Sequence, residues 1–527
     1  MSHTPMLGVM LDCSRNAVYR PEAVRRLIDL LAKMGYNTLQ LYTEDTYEIE
    51  GEPFFGYLRG RYTKEELREL DAYAASRGIE LQPCIQTLAH LDAIFRWPTY
   101  AAINDQGNAL LVGEERTYEL IDRMFATCAE CFTSRRIHIG MDEAFAIGRG
   151  KHLDKHGYMP RFDIILPHLQ RVCEIAKKYG FHPMAWGDMF YRAAAGGGWY
   201  GASAHPTEEL IAKIPADLEL FAWDYYHSTV EDYDKLLDGF CRFRRKIMFA
   251  GGAWTWASAT AHNDFSLRAT RAAIDSCRKH GIDDILITMW GDNGGECSAF
   301  SLLPSLFYAA ELARGNDDMA LIKQRFFEVI GEDFDKMMAL DLPEAFGNYP
   351  YGENNAAKHG LYNDPFRGVM DKSLFPGGTA HFRRAAKKLR ALAREGGEFA
   401  YLFDRAAKLS SVMEIKYELG VRLHAAYEAN DREGLAAAAK DLRRAAKRLE
   451  IYHEAYRRAW YYEKKNIGYE VQQIRLDGMT GRLRLCASQV EDYLAGRLDR
   501  LEEVEEKILP LTHRLFNWGP MTTACRI

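Results

Sequence analysis

Clusters of carboxylates, other polar groups and large aromatic rings recur along the N-terminal part of the chain. They are Asp12-Cys13-Ser14-Arg15, Thr43-Glu44-Asp45, Gln86-Thr87 followed by His90, Asp142-Glu143, Trp186-Gly187-Asp188, Trp223-Asp224-Tyr225-Tyr226, Trp254 with Trp256, and Trp290-Gly291-Asp292. Carboxyl groups exchange protons, and flat aromatic faces accept the C–H surfaces of a sugar ring. Together they read as a carbohydrate site. Cleavage of a glycosidic bond passes through an oxocarbenium-like state and needs a proton donor for the leaving oxygen, with a negative or nucleophilic group beside the anomeric carbon. Asp142 and Glu143 are adjacent, and neighbouring side chains at a strand end diverge, which disfavours an ordinary acid-and-nucleophile pair flanking one bond. Adjacency suits another division of labour. On a sugar with a 2-acetamido group, the substrate's own carbonyl oxygen attacks the anomeric carbon, while one carboxylate steers the acetamido N–H and the next protonates the leaving group.

These residues need a scaffold that brings them together. From the start to residue 315, short β-rich runs alternate with amphipathic helical stretches, the pattern of parallel β/α units. The strand candidates are Leu7–Cys13, Asn37–Thr43, Ile79–Ile85, Arg136–Met141, His182–Trp186, Leu218–Trp223, Lys246–Ala250 and Asp284–Met289, with helices over Pro21–Met34, Thr63–Arg77, Phe162–Tyr179 and Phe265–His280. This predicts a (β/α)₈ TIM barrel, whose active site lies at the C-terminal ends of the strands, where each cluster falls. Taken singly, any cluster is equally well a structural ion pair or a core aromatic; their convergence on one barrel mouth carries the functional reading. A doubly wound open sheet is the alternative, but no GxGxxG follows a strand. Residues 316–375 read as an irregular connecting segment, which includes a loop-rich stretch over 345–368 placed to wall the cleft. Residues 376–527, rich in Ala, Lys, Arg, Glu and Leu at helical spacing, read as an α-helical domain. One of its helical stretches is predicted over 495–511.

Composition sets the outer limits. The 527 residues are 47% hydrophobic and 27% charged, which excludes a low-complexity or disordered chain. The net charge of −6 argues against nucleic acid or an anionic membrane as the main partner, and the basic clusters of the helical part read as solvated faces. No segment resembles a signal peptide or a membrane span, and the ten Cys are scattered, so a cytoplasmic location with free thiols is expected. Cys128 and Cys131, the one CxxC, fall in a helical pattern and read as buried core. Without HExxH or any tight His/Asp ligand spacing, no metal and no cofactor is expected.

The string His138-Ile139-Gly140-Met141-Asp142-Glu143-Ala144 resembles the H-x-G-x-D-E signature of glycoside hydrolase family 20, the β-N-acetylhexosaminidases. Leu11–Arg15 looks like the first-strand motif whose Arg holds the O3 and O4 hydroxyls, Gln86–His90 is similar to the third-strand segment, and Trp186 and Trp290 fall where the family lines its pocket. The likeness spans the predicted barrel. It implies an exo-β-N-acetylhexosaminidase acting on terminal β-linked GlcNAc or GalNAc with retention, through an oxazolinium intermediate. Glu143 would be the general acid and base, in a water-poor pocket, and Asp142 the ionised group that holds the acetamido N–H. Arg15, Trp186, Trp223, Asp224, Tyr225, Tyr226, Trp256, Trp290 and Asp292 would contact the sugar, Asp292 through O4 and O6; His90, Glu44 and Asp45 would stand behind them, His90 orienting a carboxylate. The family's acetamido-binding Tyr usually precedes x-Asp, whereas this chain has Trp223-Asp224-Tyr225-Tyr226, so either Tyr qualifies; strand alternation favours Tyr225, on the side of Trp223. The family commonly carries an accessory α/β domain before the barrel, and here the first strand pattern begins within the opening residues. The helical part is instead similar to that of a bacterial subgroup with a barrel followed by helices, and a homodimer through those helices is expected. Two rivals stand: a retaining β-glycosidase using Asp292 or Glu296 as covalent nucleophile, about 5–5.5 Å from Glu143, and a non-catalytic sugar-binding barrel.

Overall fold

The computed structural model describes residues 4–256, 258–346 and 356–509. Strands β1 (Leu7–Asp12), β2 (Thr38–Thr43), β3 (Glu80–Ile85), β4 (Arg136–His138), β5 (His182–Trp186), β6 (Glu219–Trp223), β7 (Ile247–Gly252) and β8 (Ile285–Met289) form a closed parallel barrel in sequence order. β1 pairs with β8, Leu7 opposite Ile285, to complete it. The predicted strands are all present. β4 alone is much shorter than its hydrophobic run, because Gly140 (φ 72°) and Met141 (φ 76°) leave the extended region and end it. At the opposite rim Arg136, Glu219, Lys246 and Asp284 form an ion-pair chain, with links of 2.8, 3.3 and 3.0 Å, where charges serve stability rather than chemistry.

Local signals set the outer helices. Pro21 opens Pro21–Met34 at its first position, and Gly35, at φ 84°, closes it with its N–H on Ala32 and Leu31 carbonyls. Thr63 and Glu66 form a reciprocal capping box at Lys64–Ser76.

The chain divides into two compact units. The first holds residues 1–253, 265–291 and 305–331; the second holds 254–264, 292–304 and 332–527. The boundary therefore falls at 331 rather than 315, because the helix Met319–Ile330 packs with the barrel unit. The segment expected to be irregular contains this helix, Phe334–Met338 and Ala356–Tyr362, while part of the 345–368 stretch, residues 347–355, lies outside the described residues.

Long helices build the second unit: Gly378–Arg394, Ala400–Lys416, Arg432–Glu463 and Tyr469–Leu494. Arg432–Glu463 buries Leu435, Ala438, Leu442, Ala445, Leu449 and Tyr452, a stripe at spacings of three and four. Of the stretch predicted helical over 495–511, residues 510–511 lie outside the described residues, and the rest is helical only at Glu502–Glu505, because Gly496 at φ 72° ends the preceding helix with its N–H on the Tyr493 carbonyl. The loops after β7 and β8 belong to this unit, and helix side chains hold them by their backbone. Arg475 donates to the Asn293 carbonyl (2.6 Å), Gln472 to Gly294 (2.9 Å), Lys464 to Gly295 and Cys297, and Arg405 to Glu296 and Ala259 (both 2.7 Å). Buried carbonyls of an irregular loop need such partners.

Candidate active site

The turn after β4 presents Asp142 and Glu143 from a backbone held in an unusual conformation: Gly140, Met141 and Glu143 all have positive φ, at 72°, 76° and 48°. A side chain at Gly140 would meet Gln86 Oε1 at 2.1 Å, so the glycine permits close approach of the loop after β3. Gln86 uses that closeness. Its Nε2 donates to Asp142 Oδ1 (2.8 Å) and its Oε1 accepts from the Met141 N–H (3.3 Å), fixing side chain and backbone together. His90, itself at φ 57°, places Nε2 3.1 Å from Asp142 Oδ2 and 3.8 Å from Glu143 Oε2. Burial pulls the His90 imidazolium down, but the Asp142 charge and hydrogen bond, with Glu44 behind, outweigh it and raise the pKa to about 9. Burial likewise pushes Asp142 up, and His90, Gln86 and Arg15 reverse this, leaving its carboxyl below the usual range. Asp142 is therefore an anion on a rigid mount. The Asp142 side chain is 11% exposed and that of Glu143 44%, so Glu143 does not lie in the water-poor pocket expected of it.

His138, the first residue of the signature, is buried against the rings of Trp186 (4.3 Å) and Phe221 (5.2 Å). Burial lowers its pKa to about 3, and its neutral Nδ1 accepts the Gly140 N–H at 3.1 Å. It shapes the turn and does not exchange protons.

Asp12 organises the loop after β1. Oδ1 accepts from Ser14 N (2.9 Å) and Arg15 N (3.1 Å), and Oδ2 from Gly291 N (2.8 Å), which ties this loop to the end of β8. Arg15 Nε lies 2.7 Å from Glu44 Oε1, with its guanidinium 5.5 Å from the Trp290 ring and 5.7 Å from Tyr42. Tyr42 donates to Glu44 (3.1 Å) and accepts from Gln86 (3.0 Å), so one hydrogen-bonded chain runs from Arg15 through Glu44, Tyr42 and Gln86 to Asp142. Burial raises the pKa of Glu44, Arg15 opposing it. Asp45 faces away into another pair, with Arg59 at 3.2 Å.

Rings wall the same end of the barrel. Trp290 meets Tyr42 edge-on at 4.8 Å and Trp186 at 5.8 Å; Tyr225 stacks on Trp223 at 5.2 Å and 16° and lies 6.5 Å from Trp290. Tyr225 is buried, and Tyr226, half-buried, turns towards Tyr200 at 5.8 Å. Asp224 spends its oxygens on its own loop, accepting from Tyr226 N (2.9 Å) and pairing with His227 Nδ1 (2.6 Å). Trp256, Trp254, Asp292 and Glu296 belong to the second unit. There Trp254 and Trp256 pair at 4.6 Å, and the buried Glu296 carboxylate sits between Lys358 (3.4 Å) and Arg475 (3.3 Å).

The family model "Glycosyl hydrolase family 20, catalytic domain" matches residues 5–214, and "Glycoside Hydrolase 20C C-terminal domain" matches residues 332–516. The chain belongs to glycoside hydrolase family 20. A β-hexosaminidase of Vibrio furnissii is 34% identical over 176 residues, 26% of this chain and 28% of that protein. Human hexosaminidase D is 23% identical over 209 residues, 38% of this chain and 40% of its own. The chain thus matches well under half the length of either relative. Among solved structures, a family 20 exo-β-N-acetylglucosaminidase of Vibrio harveyi in complex with N-acetylglucosamine aligns with TM-score 0.47 at 18% identity, over 64% of this chain and 58% of that one.

In this family 20 chain, the barrel gathers Arg15, Glu44, His90, Asp142, Glu143, Trp186, Trp223, Tyr225 and Trp290 at one end. Tyr42, Gln86 as a double clamp, Trp199 and Asp188 escaped the sequence reading as site residues. Trp199 packs 4.9 Å from Trp223, on a loop whose helical neighbours gave no barrel signal. Gln86 and Asp188 each closed a strand cluster; what they touch depends on the neighbouring strand, which only closure of the sheet supplies.

Proposed function

We propose that the protein is an exo-acting β-N-acetylhexosaminidase that removes terminal β-linked GlcNAc or GalNAc with retention, the substrate's acetamido oxygen serving as nucleophile. One observation supports it above the rest: Asp142 is kept ionised between Gln86 and His90 while the adjacent Glu143 stands open beside it. Asp142 accepts the acetamido N–H and offsets charge on the oxazolinium-like intermediate, a preorganised electrostatic effect of roughly 10²–10³ in rate. Glu143 protonates the leaving oxygen and then takes a proton from water. A bound sugar supplies the burial that Glu143 lacks on its own, desolvating the acid as it docks. Arg15 offers a forked donor to vicinal hydroxyls, Trp186, Trp223 and Trp290 take the ring faces and acetamido methyl, and Tyr225 holds the acetamido carbonyl. Asp224 acts through its loop, since its oxygens are engaged by the Tyr226 N–H and His227, and Asp45 acts through its pair with Arg59. The covalent alternative is weakened at Glu296, whose carboxylate is neutralised by Lys358 and Arg475.

A thiazoline analogue of N-acetylglucosamine tests the mechanism. Inhibition well below the substrate's KM is expected; indifference to it contradicts acetamido participation.

A cytoplasmic setting without nucleic acid or membrane partners accords with the free thiols of the described cysteines and the net charge of −6. No described helix is long and apolar enough to cross a membrane. Homodimerisation through the helical unit is supported by exposed Ile451 (49%) with Tyr462 (56%), and Ile474 (72%) with Leu485 (51%). Each pair is spaced to share a helix face. Light scattering decides it, a monomer at high concentration being the contrary result.

A further inference from the structure

Asp188 follows Trp186 and Gly187 at the end of β5 and is 0% exposed. Its Oδ2 accepts the backbone N–H of Glu143 at 3.1 Å, while its Oδ1 has no hydrogen-bond partner among the described residues. Glu143 at φ 48° occupies a region that L residues adopt only where the surroundings over-determine it, and this bond is one of those constraints. We propose that Asp188 is a positioning residue for the acid–base step: its Oδ2 tethers Glu143 in the left-handed turn, and its buried carboxyl is a second acidic neighbour, beside Asp142, that holds the Glu143 proton in place.

This rests on the hexosaminidase reading above. The charged groups facing Asp188 are Asp142 and Glu143, from the turn after β4, and Arg192 on its own helix, whose Nε is 3.9 Å from Oδ2; Glu143 also faces His90 at 3.8 Å, a charge that Asp188→Asn leaves in place. Burial raises the Asp188 pKa most and the charge of Asp142 adds to it; the Glu143 N–H bond and Arg192 only partly oppose them. When Asp188 ionises, it adds negative charge beside Glu143, and Glu143 keeps its proton to higher pH. An uncharged residue at 188 removes that effect, so the alkaline limb of kcat/KM, which reports the general acid, moves to lower pH.

Asp188→Asn and Asp188→Ala separate the two parts. Asn retains an oxygen for the Glu143 N–H and cannot ionise; Ala has neither property. On p-nitrophenyl β-N-acetylglucosaminide, Asp188→Asn is expected to keep KM near wild type and to shift the alkaline limb down by about one pH unit. Asp188→Ala is expected to lose about 10²-fold in kcat with KM changed far less, the scale of a misplaced catalytic group. Hydrogen–deuterium exchange of the 139–146 segment reads the tether directly: faster in Asp188→Ala and near wild type in Asp188→Asn. Unchanged exchange in Asp188→Ala overturns the tether, and an unshifted alkaline limb in Asp188→Asn overturns the electrostatic part. Because exchange is measured whether or not sugar turns over, a wild type silent on the glycoside defeats the hexosaminidase reading alone.

Discussion

A buried carboxylate such as Asp142 stays charged only when its partners are fixed in advance. Gln86 and His90 do this from the loop after β3, His90 as a cation with pKa about 9. The linkage has a definite sign. The His90 pKa is raised from 6.5 to about 9, so its contribution to stability is complete below pH 6.5 and is lost as pH rises through 9. Asp142 is depressed, so its contribution is present above the ordinary carboxylate range and is lost as pH falls through its lowered value. The melting temperature of the wild type should therefore decline across that alkaline window, and His90→Gln should lack this part of the decline; parallel curves would contradict the ion pair. Glu143→Gln, which leaves the His90–Asp142 pair intact, should keep the wild-type pH dependence of melting while losing turnover. In the sequence, the two acids were legible from adjacency and the signature. The clamp was not, since nothing in Gln86-Thr87 says that its amide reaches both a side chain and a backbone N–H in the turn after the next strand.

β4 presents its two acids through an irregular turn at the strand end. β4 stops at His138 so that Gly140, Met141 and Glu143 can take positive φ. Gly140→Ala should therefore destabilise by about 1–3 kcal/mol, the usual cost of a strained non-glycine position, and more if Gln86 is displaced. It should also depress activity beyond the stability loss, because the methyl would meet Gln86 Oε1 at 2.1 Å. Wild-type melting and activity in this variant would mean that the turn tolerates repacking. Periodicity gave the eight strands and the main barrel helices to within a residue or two, because each buries a full face. It missed the early end of β4 and the loss of helix after Ala495, since both are decided by single glycines, Gly140 and Gly496, in left-handed turns.

For the molecule as a whole, the division into two units has a consequence that the linear order conceals. The loops after β7 and β8 lie in the barrel's part of the sequence but belong to the helical unit, where Arg405, Lys464, Gln472 and Arg475 supply the donors for their carbonyls. A chain ending at Gly331 would leave those carbonyls without partners, so it should aggregate or melt well below the full protein; a soluble fragment with the full chain's melting temperature would contradict this. A helical domain was legible from composition, but its hold on these loops was not, because the residues concerned lie more than a hundred positions apart. The division of substrate-assisted chemistry between Asp142 and Glu143 is read out by p-nitrophenol release. The β-N-acetylglucosaminide, the β-N-acetylgalactosaminide and the plain β-glucoside should be compared for wild type, Asp142→Asn and Glu143→Gln. Turnover confined to the acetamido sugars, with both variants reduced by about 10²-fold or more, is the predicted result. Comparable cleavage of the plain glucoside, or an Asp142→Asn variant as fast as wild type, would contradict it.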